Sequence, residues 1–92
     1  MNWNYKGLVK NVPHKHKYMY NEKDEKRGVV VILNNGSFGW SICSKKDTFN
    51  KLYGRAIAIL RAQSGKTHLG NVPSPYWASQ IVSKLDALGA KI

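Results

Sequence analysis

An uncharged stretch, residues 28–44, lies between two basic blocks and constrains the fold more than any other part of the chain. Residues 28–33 are mostly β-branched and apolar, residues 34–37 have the composition of a turn, and residues 38–43 alternate in size. An Asn-Gly pair supplies the positive φ angles of a two-residue type I′ turn. The stretch therefore predicts a β-hairpin with Asn35-Gly36 at its tip.

A two-residue turn also predicts the register, with the large side chains of both strands on one face of the hairpin. The predicted pairs are Leu33 with Phe38, Val31 with Trp40, and Val29 with Ile42. The other face then carries Val30 and Ile32 opposite the small residues Gly39, Ser41 and Cys43. A slip of one residue would exchange the two faces.

A helix is predicted to follow at once, from Ser44 as N-cap to about Gln63, because residues 44–47 have the form of a capping box. Apolar residues at helical spacing form the stripe predicted to be buried: Phe49, Leu52, Tyr53, Ala56, Ile57 and Leu60. The opposite arc, predicted to face solvent, combines polar and small residues: Asn50, Lys51, Gly54, Arg55, Ala58, Arg61 and Ala62. Within this arc, Gly54, Ala58 and Ala62 form a strip of small residues, which we call the small strip. The small strip either allows another helix to pack closely or forms a shallow surface that a phosphate backbone or an acidic partner can approach.

Ser74-Pro75 opens a second predicted helix, which Gly89 ends. Its apolar stripe is Trp77, Ile81, Leu85 and Leu88. Alternation at Trp3 and Tyr5, and again over residues 14–20, predicts two further strands, the second followed by a charged turn at 22–27. We therefore expect a single α+β domain over residues 1–92, an antiparallel sheet of three to four strands followed by two helices packed on one face.

The sequence does not predict an enzyme. Residues 64–67 resemble the end of a phosphate-binding loop, but the glycine that the motif needs five positions earlier is Leu60, so Gly65 is interpreted as a helix C-cap. His14 and His16 point the same way on a strand but have no further ligands at suitable spacing. Cys43 is interpreted as a buried structural thiol. We expect no catalytic residue, no metal site and no cofactor.

The charge carries the main functional signal. Fifteen Lys and Arg against five Asp and Glu give a net charge of +10, which attracts nucleic acid, an anionic membrane or an acidic protein. The single cysteine suits a reducing compartment, no apolar run reaches the ~18 residues of a membrane span, and the first residues lack a signal-peptide layout. These features predict a cytoplasmic protein without a membrane partner, and they leave the oligomeric state open.

Cations interleaved with aromatic residues form the candidate binding surface, since cations neutralise phosphates and aromatic rings stack on bases. The candidates along and beside the first helix are Lys45, Lys46, Lys51, Arg55 and Arg61. Those of the N-terminal third are Lys15, Lys17, Tyr18, Tyr20, Lys26 and Arg27. For Tyr18 and Tyr20, a place in the core is about as well supported as stacking.

Residues 40–47, WSICSKKD, followed by Phe49-Asn50-Lys51 and Gly54-Arg55, resemble a block found in small basic accessory proteins of tailed bacteriophages. The resemblance covers about residues 28–62, and no established activity is attached to it. It implies a phage accessory product in the host cytoplasm, and such proteins commonly bind and block host machinery, including restriction and CRISPR effectors.

Together these features predict a non-enzymatic binding protein whose basic surface engages nucleic acid or a nucleic-acid-handling host complex. The alternative is a direct inhibitor of a host enzyme that uses the same basic and aromatic surface. A small nuclease is the least favoured interpretation, because the sequence shows no metal-binding pair of carboxylates.

Overall fold

The computed structural model describes residues 4–44, 47–65 and 72–90. Within them the chain forms a short helix, three strands and two longer helices. The elements are α1 Tyr5–Asn11, β1 His14–Tyr20, β2 Lys26–Leu33, β3 Phe38–Ile42, α2 Lys51–Ser64 and α3 Pro75–Ala87. No helix of these residues is both long enough and apolar enough to span a bilayer.

The three strands form one antiparallel sheet in the order β1-β2-β3, with β2 at its centre. Val29, Val30 and Val31 of β2 are all fully buried, although neighbouring residues of a strand point to opposite faces. Both faces of the sheet must therefore be covered.

Each face is covered by different helices. We call the sheet face that carries Val29 and Val31 the α2 face, because these residues form one core cluster with α1 and α2. The opposite face, which we call the α3 face, carries Val30 in a second cluster with Ile81 and Leu85 of α3. The predicted α+β class, with an antiparallel sheet followed by two helices packed against it, is confirmed. The prediction that both helices pack on one face is wrong, because β2 has apolar side chains on both sides.

The hairpin forms at the predicted place but in a different register. Its loop has three residues, 34–36: the Leu33 N–H donates to Ser37 O (2.8 Å), the Gly36 N–H donates to Leu33 O (3.0 Å), and Gly36 is left-handed with φ 89°. The observed pairs are Ile32 with Phe38, Val31 with Gly39, Val30 with Trp40, Val29 with Ser41 and Gly28 with Ile42. The predicted register is wrong by one residue, since the same Asn-Gly pair also suits the longer loop.

This register sorts the side chains of β3 by size. Phe38, Trp40 and Ile42 pack against the α3-face cluster, whereas Gly39 and Ser41 face α2. A Cβ atom placed on Gly39 would lie 2.1 Å from the Ala58 carbonyl oxygen, so the α2 backbone almost touches the strand.

The small residues of α2 make this approach possible. Gly54, Ala58 and Ala62 are buried, and the Ser41 hydroxyl donates to the Gly54 carbonyl oxygen at 2.8 Å. The small strip therefore packs against β3. Both predicted roles for it, as a packing site for another helix and as an exposed binding surface, are wrong.

The burial of this strip rotates α2 away from the predicted orientation. Its buried residues are Gly54, Ala56, Ala58, Ile59 and Ala62. Three members of the stripe predicted to be buried are instead exposed, namely Leu52 (37%), Tyr53 (45%) and Leu60 (40%). The prediction placed the larger apolar residues inside, but only small ones fit so close to β3.

The first predicted helix begins later than expected. Its N-cap is Asn50, whose side chain accepts from the Tyr53 N–H at 3.0 Å, so the prediction of Ser44 as N-cap is wrong. The Ser44 hydroxyl instead donates to the Asp47 carboxylate within the preceding loop. The C-cap prediction is confirmed, because Gly65 is left-handed at φ 72° directly after Ser64.

The N-terminal segment is a helix where a strand was predicted. Asn4 caps α1 by accepting from the Gly7 N–H (2.9 Å), and Val9 is buried between partly buried residues that follow a helical period. A two-residue alternation cannot distinguish this pattern from a strand, and Trp3 lies outside the described residues. The strand at 14–20 and the Ser74 cap of α3 are confirmed.

Candidate nucleic-acid interface

Three of the predicted binding residues meet where β2 and α2 begin. Lys26, Arg27 and Lys51, which we call the α2 corner, line a shallow groove of about 600 Å³. Glu25 and Asp47 line the same groove, so three cations face two carboxylates there. The arrangement suits an anion that also carries hydrogen-bond donors.

Lys26 lies over an aromatic ring within this corner. Its Nζ is 4.3 Å from the centroid of the Tyr18 ring, close enough for a cation–π contact. Tyr18 is half-buried on the α2 face, with its ring 6.1 Å from that of Phe49 in an edge-on arrangement. The structure thus places Tyr18 in the core margin, and its stacking role stays a prediction.

Arg27 holds the connection between β3 and α2. Its guanidinium donates to the backbone oxygens of Ser44 and Asp47, the latter at 3.0 Å. Those contacts use part of its donor capacity but leave its charge at the surface. Lys45 and Lys46, in the same connection, lie outside the described residues, whereas Lys51 is exposed at the first position of α2.

Arg55 does not face solvent, and that part of the prediction is wrong. It is half-buried, and its Nη2 lies 2.9 Å from His14 Nε2. Because a guanidinium only donates, His14 Nε2 accepts, and the proton on His14 Nδ1 donates to Val12 O at 2.7 Å. Arg55 Nε is buried without a hydrogen-bond partner among the described atoms. Arg55 thus connects α2 to β1 at a half-buried position.

His16 lies beside this pair on β1. Burial lowers the pKa of its imidazole below the usual value, and the positive charges of Arg55 and Lys26 lower it further. The environment on the α2 face therefore favours a neutral ring at this position.

Arg61 lies at the free edge of β3. Its Nη1 donates to the Trp40 carbonyl oxygen at 2.8 Å, and its guanidinium carbon is 5.4 Å from the Trp40 ring. The side chain remains exposed, so its other N–H groups face solvent.

The remaining predicted residues lie elsewhere on the molecule. Lys15 and Lys17 are exposed on β1, and their cross-strand partners Ile32 and Val30 place them on the α3 face. Tyr20 is half-buried at the end of β1, where its main chain is bonded to α3 through Gln80 and Tyr76. The predicted binding residues therefore do not form one surface. They are divided between the α2 corner, the edge of β3, and β1.

Sequence reasoning missed a second groove beside the α2 corner, which we call the α2 groove. It has a volume of about 620 Å³ and lies between α2 and the connection that precedes it. Among its lining residues are Ile42, Cys43, Asn50, Tyr53, Ile57 and Arg61. No sequence signal reveals it, because Tyr53 reaches the surface only through the rotation of α2.

None of the Lys and Arg side chains in the described parts of the chain forms an ion pair with a carboxylate. Within the same residues, no three His, Cys, Asp or Glu side chains lie close enough to hold a metal ion.

Comparisons with protein-family models, with curated proteins and with solved structures found no significant match.

Proposed function

We propose that this protein is a non-enzymatic binding protein whose basic surface engages nucleic acid or a nucleic-acid-handling complex. The observation that carries the proposal is the net charge of +10 together with the absence of ion pairs among the described residues. Cations that form no ion pair remain available to phosphates, and binding gains free energy from the counterions that are released.

The exposed cations are spread over several elements. Lys6 and Lys10 lie on α1, Lys15 and Lys17 on β1, and Lys51 on α2. Such a distribution favours contact with an extended phosphate backbone over capture of one small anion. It also favours affinity with little sequence specificity, since phosphate contacts do not distinguish bases.

A second candidate is a direct inhibitor of a host enzyme that handles nucleic acid. It is favoured by the exposed apolar residues Leu52, Tyr53 and Leu60 on α2, which a protein partner would cover. The resemblance of residues 28–62 to phage accessory proteins agrees with this role and with an anti-defence activity in the host cytoplasm.

Salt dependence tests the first candidate. We expect the affinity for duplex DNA to fall steeply with salt, with the slope of log affinity against log salt changing by about 0.9 for each phosphate contact that is lost. Lys26→Gln with Lys51→Gln removes two cations of the α2 corner, and a control that removes two others combines Lys23→Gln with Lys84→Gln. The corner variant should show a flatter slope than the control, and an affinity insensitive to salt would contradict the proposal.

A pull-down from bacterial lysate separates the two candidates. Nuclease treatment should release the bound material if nucleic acid is the primary partner. A partner protein that stays bound after complete nuclease digestion would favour the inhibitor instead.

A further inference from the structure

The α2 groove adjoins the α2 corner directly, since Asp47, Thr48 and Phe49 line both. The α2 corner is rich in cations, and the α2 groove has a mixed lining in which apolar side chains alternate with polar ones and Tyr53 is exposed. Proteins that bind single-stranded nucleic acid combine these two features, because cations follow the backbone while aromatic rings stack on unpaired bases.

The walls of the α2 groove suit a flat ring. Ile42, Phe49 and Ile57 are half-buried. Tyr53 is 45% exposed, although its ring packs edge-on against the Tyr5 ring with the centroids 5.5 Å apart, so part of its apolar surface is accessible from solvent. The volume of about 620 Å³ lies within the range of roughly 300–1,000 Å³ that is usual for small-ligand sites. A nucleobase would bury this apolar surface by stacking.

Most polar groups that line the α2 groove are already hydrogen-bonded within the protein. The Cys43 thiol donates to Asp47 O (3.4 Å), and the Ser41 hydroxyl is bonded to α2. Asn50 uses its side-chain oxygen to cap the Tyr53 N–H, which leaves its amide nitrogen as a donor toward the groove. The Asp47 carboxylate accepts from Ser44 through one oxygen and has a second acceptor. A base edge that carries both an acceptor and an amino group could bond to this pair.

Cations lie at both ends of the groove. Arg61 lines it at the β3 edge, and Lys51 lies at the other end in the α2 corner. The phosphates on the two sides of one nucleotide would therefore each meet a positive charge. A paired and stacked base of a duplex does not reach into a recess of this kind, so the arrangement favours an unpaired strand.

We propose that the α2 groove binds one unpaired base of a single-stranded nucleic acid, stacked on Tyr53, with its flanking phosphates on Arg61 and the α2 corner. This inference rests on the proposed function and specifies its ligand. It predicts that single strands bind more tightly than duplexes of the same length.

The test uses fluorescence anisotropy of the full chain with a labelled oligodeoxycytidylate, whose base carries both an acceptor and an amino group, and with a labelled duplex of equal length. Tyr53→Leu should weaken binding of the single strand by about 5- to 150-fold, as expected for the loss of one stacked base, and leave duplex binding unchanged. Tyr53→Phe keeps the ring and should bind the single strand as wild type does. Tyr76→Leu is the matched control, since Tyr76 is similarly exposed (40%) but lies on α3. Circular dichroism verifies that each variant is folded.

The outcomes separate this inference from the proposed function. If both oligonucleotides bind in a salt-dependent way and Tyr53→Leu has no effect, the groove proposal is overturned while nucleic-acid binding stands. If neither oligonucleotide binds at any salt concentration, the groove proposal and direct binding of nucleic acid are both overturned. If, in addition, wild type captures a partner protein that the Tyr53→Leu variant does not, the groove binds a protein ligand instead.

Discussion

Gly39 lies at a close contact between the sheet and α2, where an added Cβ atom would lie 2.1 Å from the Ala58 carbonyl oxygen. We expect Gly39→Ala to lower the free energy of unfolding by about 3 kcal/mol, at the upper end of the usual cost of overpacking, because backbone atoms cannot yield as a side chain would. Urea denaturation measures the change.

The control is an alanine substitution at the surface, which removes a hydroxyl and adds no atom to the core. Ser79→Ala on the exposed side of α3 should leave the free energy of unfolding within about 0.5 kcal/mol of wild type. Equal stabilities of the Gly39 and Ser79 variants would contradict the close contact between α2 and β3.

His16 gives the protein a pH-dependent stability. Its folded pKa is depressed relative to about 6.5 in the unfolded chain, so the unfolded state binds more protons and stability is lost as pH falls below that value. His16→Gln removes this titration, and its thermal midpoint should fall less than that of wild type between about pH 7.5 and 5.5. Parallel pH profiles for the two proteins would show that the His16 environment is not selective for the neutral ring.

At the scale of the elements, both outer strands of the sheet have part of their free backbone edge bonded by side chains. On β3, Cys43 and Ser37 are hydrogen-bonded to β2, so the even-numbered residues between them turn their backbone outward, and Arg61 bonds to the oxygen of Trp40. On β1, the Gln80 carboxamide accepts from the Tyr20 N–H (3.1 Å) and donates to the Tyr20 oxygen. These contacts occupy groups that another strand would otherwise pair with.

The Gln80 contact also links α3 to the end of β1 by two hydrogen bonds. Gln80→Ala should cost about 1–2 kcal/mol, since it removes two hydrogen bonds at a half-buried position, and it should speed hydrogen exchange at the Tyr20 amide. Gln63→Ala, at an exposed position of α2, serves as the control. Unchanged exchange at Tyr20 in the Gln80 variant would show that α3 is held by its apolar contacts alone.

The sequence predicted those elements whose signals are local. The Asn35-Gly36 loop, the strand at 14–20, the Ser74 cap and the Gly65 end of α2 all depend on a few neighbouring residues. The register did not follow, because two-residue and three-residue hairpin loops accept the same Asn-Gly pair. A difference of one residue in the register decides which face of β3 carries the small side chains. That face in turn decides which side of α2 is buried.

The candidate site was predictable only to the extent that it depends on composition. The charge identified the cations, but whether each reaches solvent depends on the rotation of α2 and on partners distant in sequence. Arg55 is half-buried because His14 lies under it, and Tyr53 is exposed because Ala58 packs inward in its place. Neither relation is encoded within a few neighbouring residues.

Over the whole molecule, the surplus of positive charge should make stability depend on ionic strength. The protein extends 32 × 32 × 20 Å, so at about 0.01 M salt, where the Debye length is about 30 Å, cations on opposite sides repel one another. At about 0.3 M salt these repulsions are screened, and we expect the thermal midpoint to rise by several degrees.

The variant Lys6→Gln with Lys10→Gln tests this explanation, since it removes two exposed charges from α1. It should reduce the rise of the thermal midpoint with salt, while Asn11→Gln at an exposed position should not. A midpoint that falls with added salt would show instead that attractive electrostatic contacts dominate in the folded state.

The docking of α3 has a consequence for the order of events during folding. The ribosome completes β1, β2 and β3 before it makes residues 75–87, so the nascent sheet has Met19 and Val30 open to solvent and the Tyr20 edge unblocked. When α3 docks, it covers Met19 and Val30 and bonds to the free edge at Tyr20 at the same time. Any species in which the sheet forms before α3 docks carries both features that promote association between chains, so aggregation is favoured most in that species.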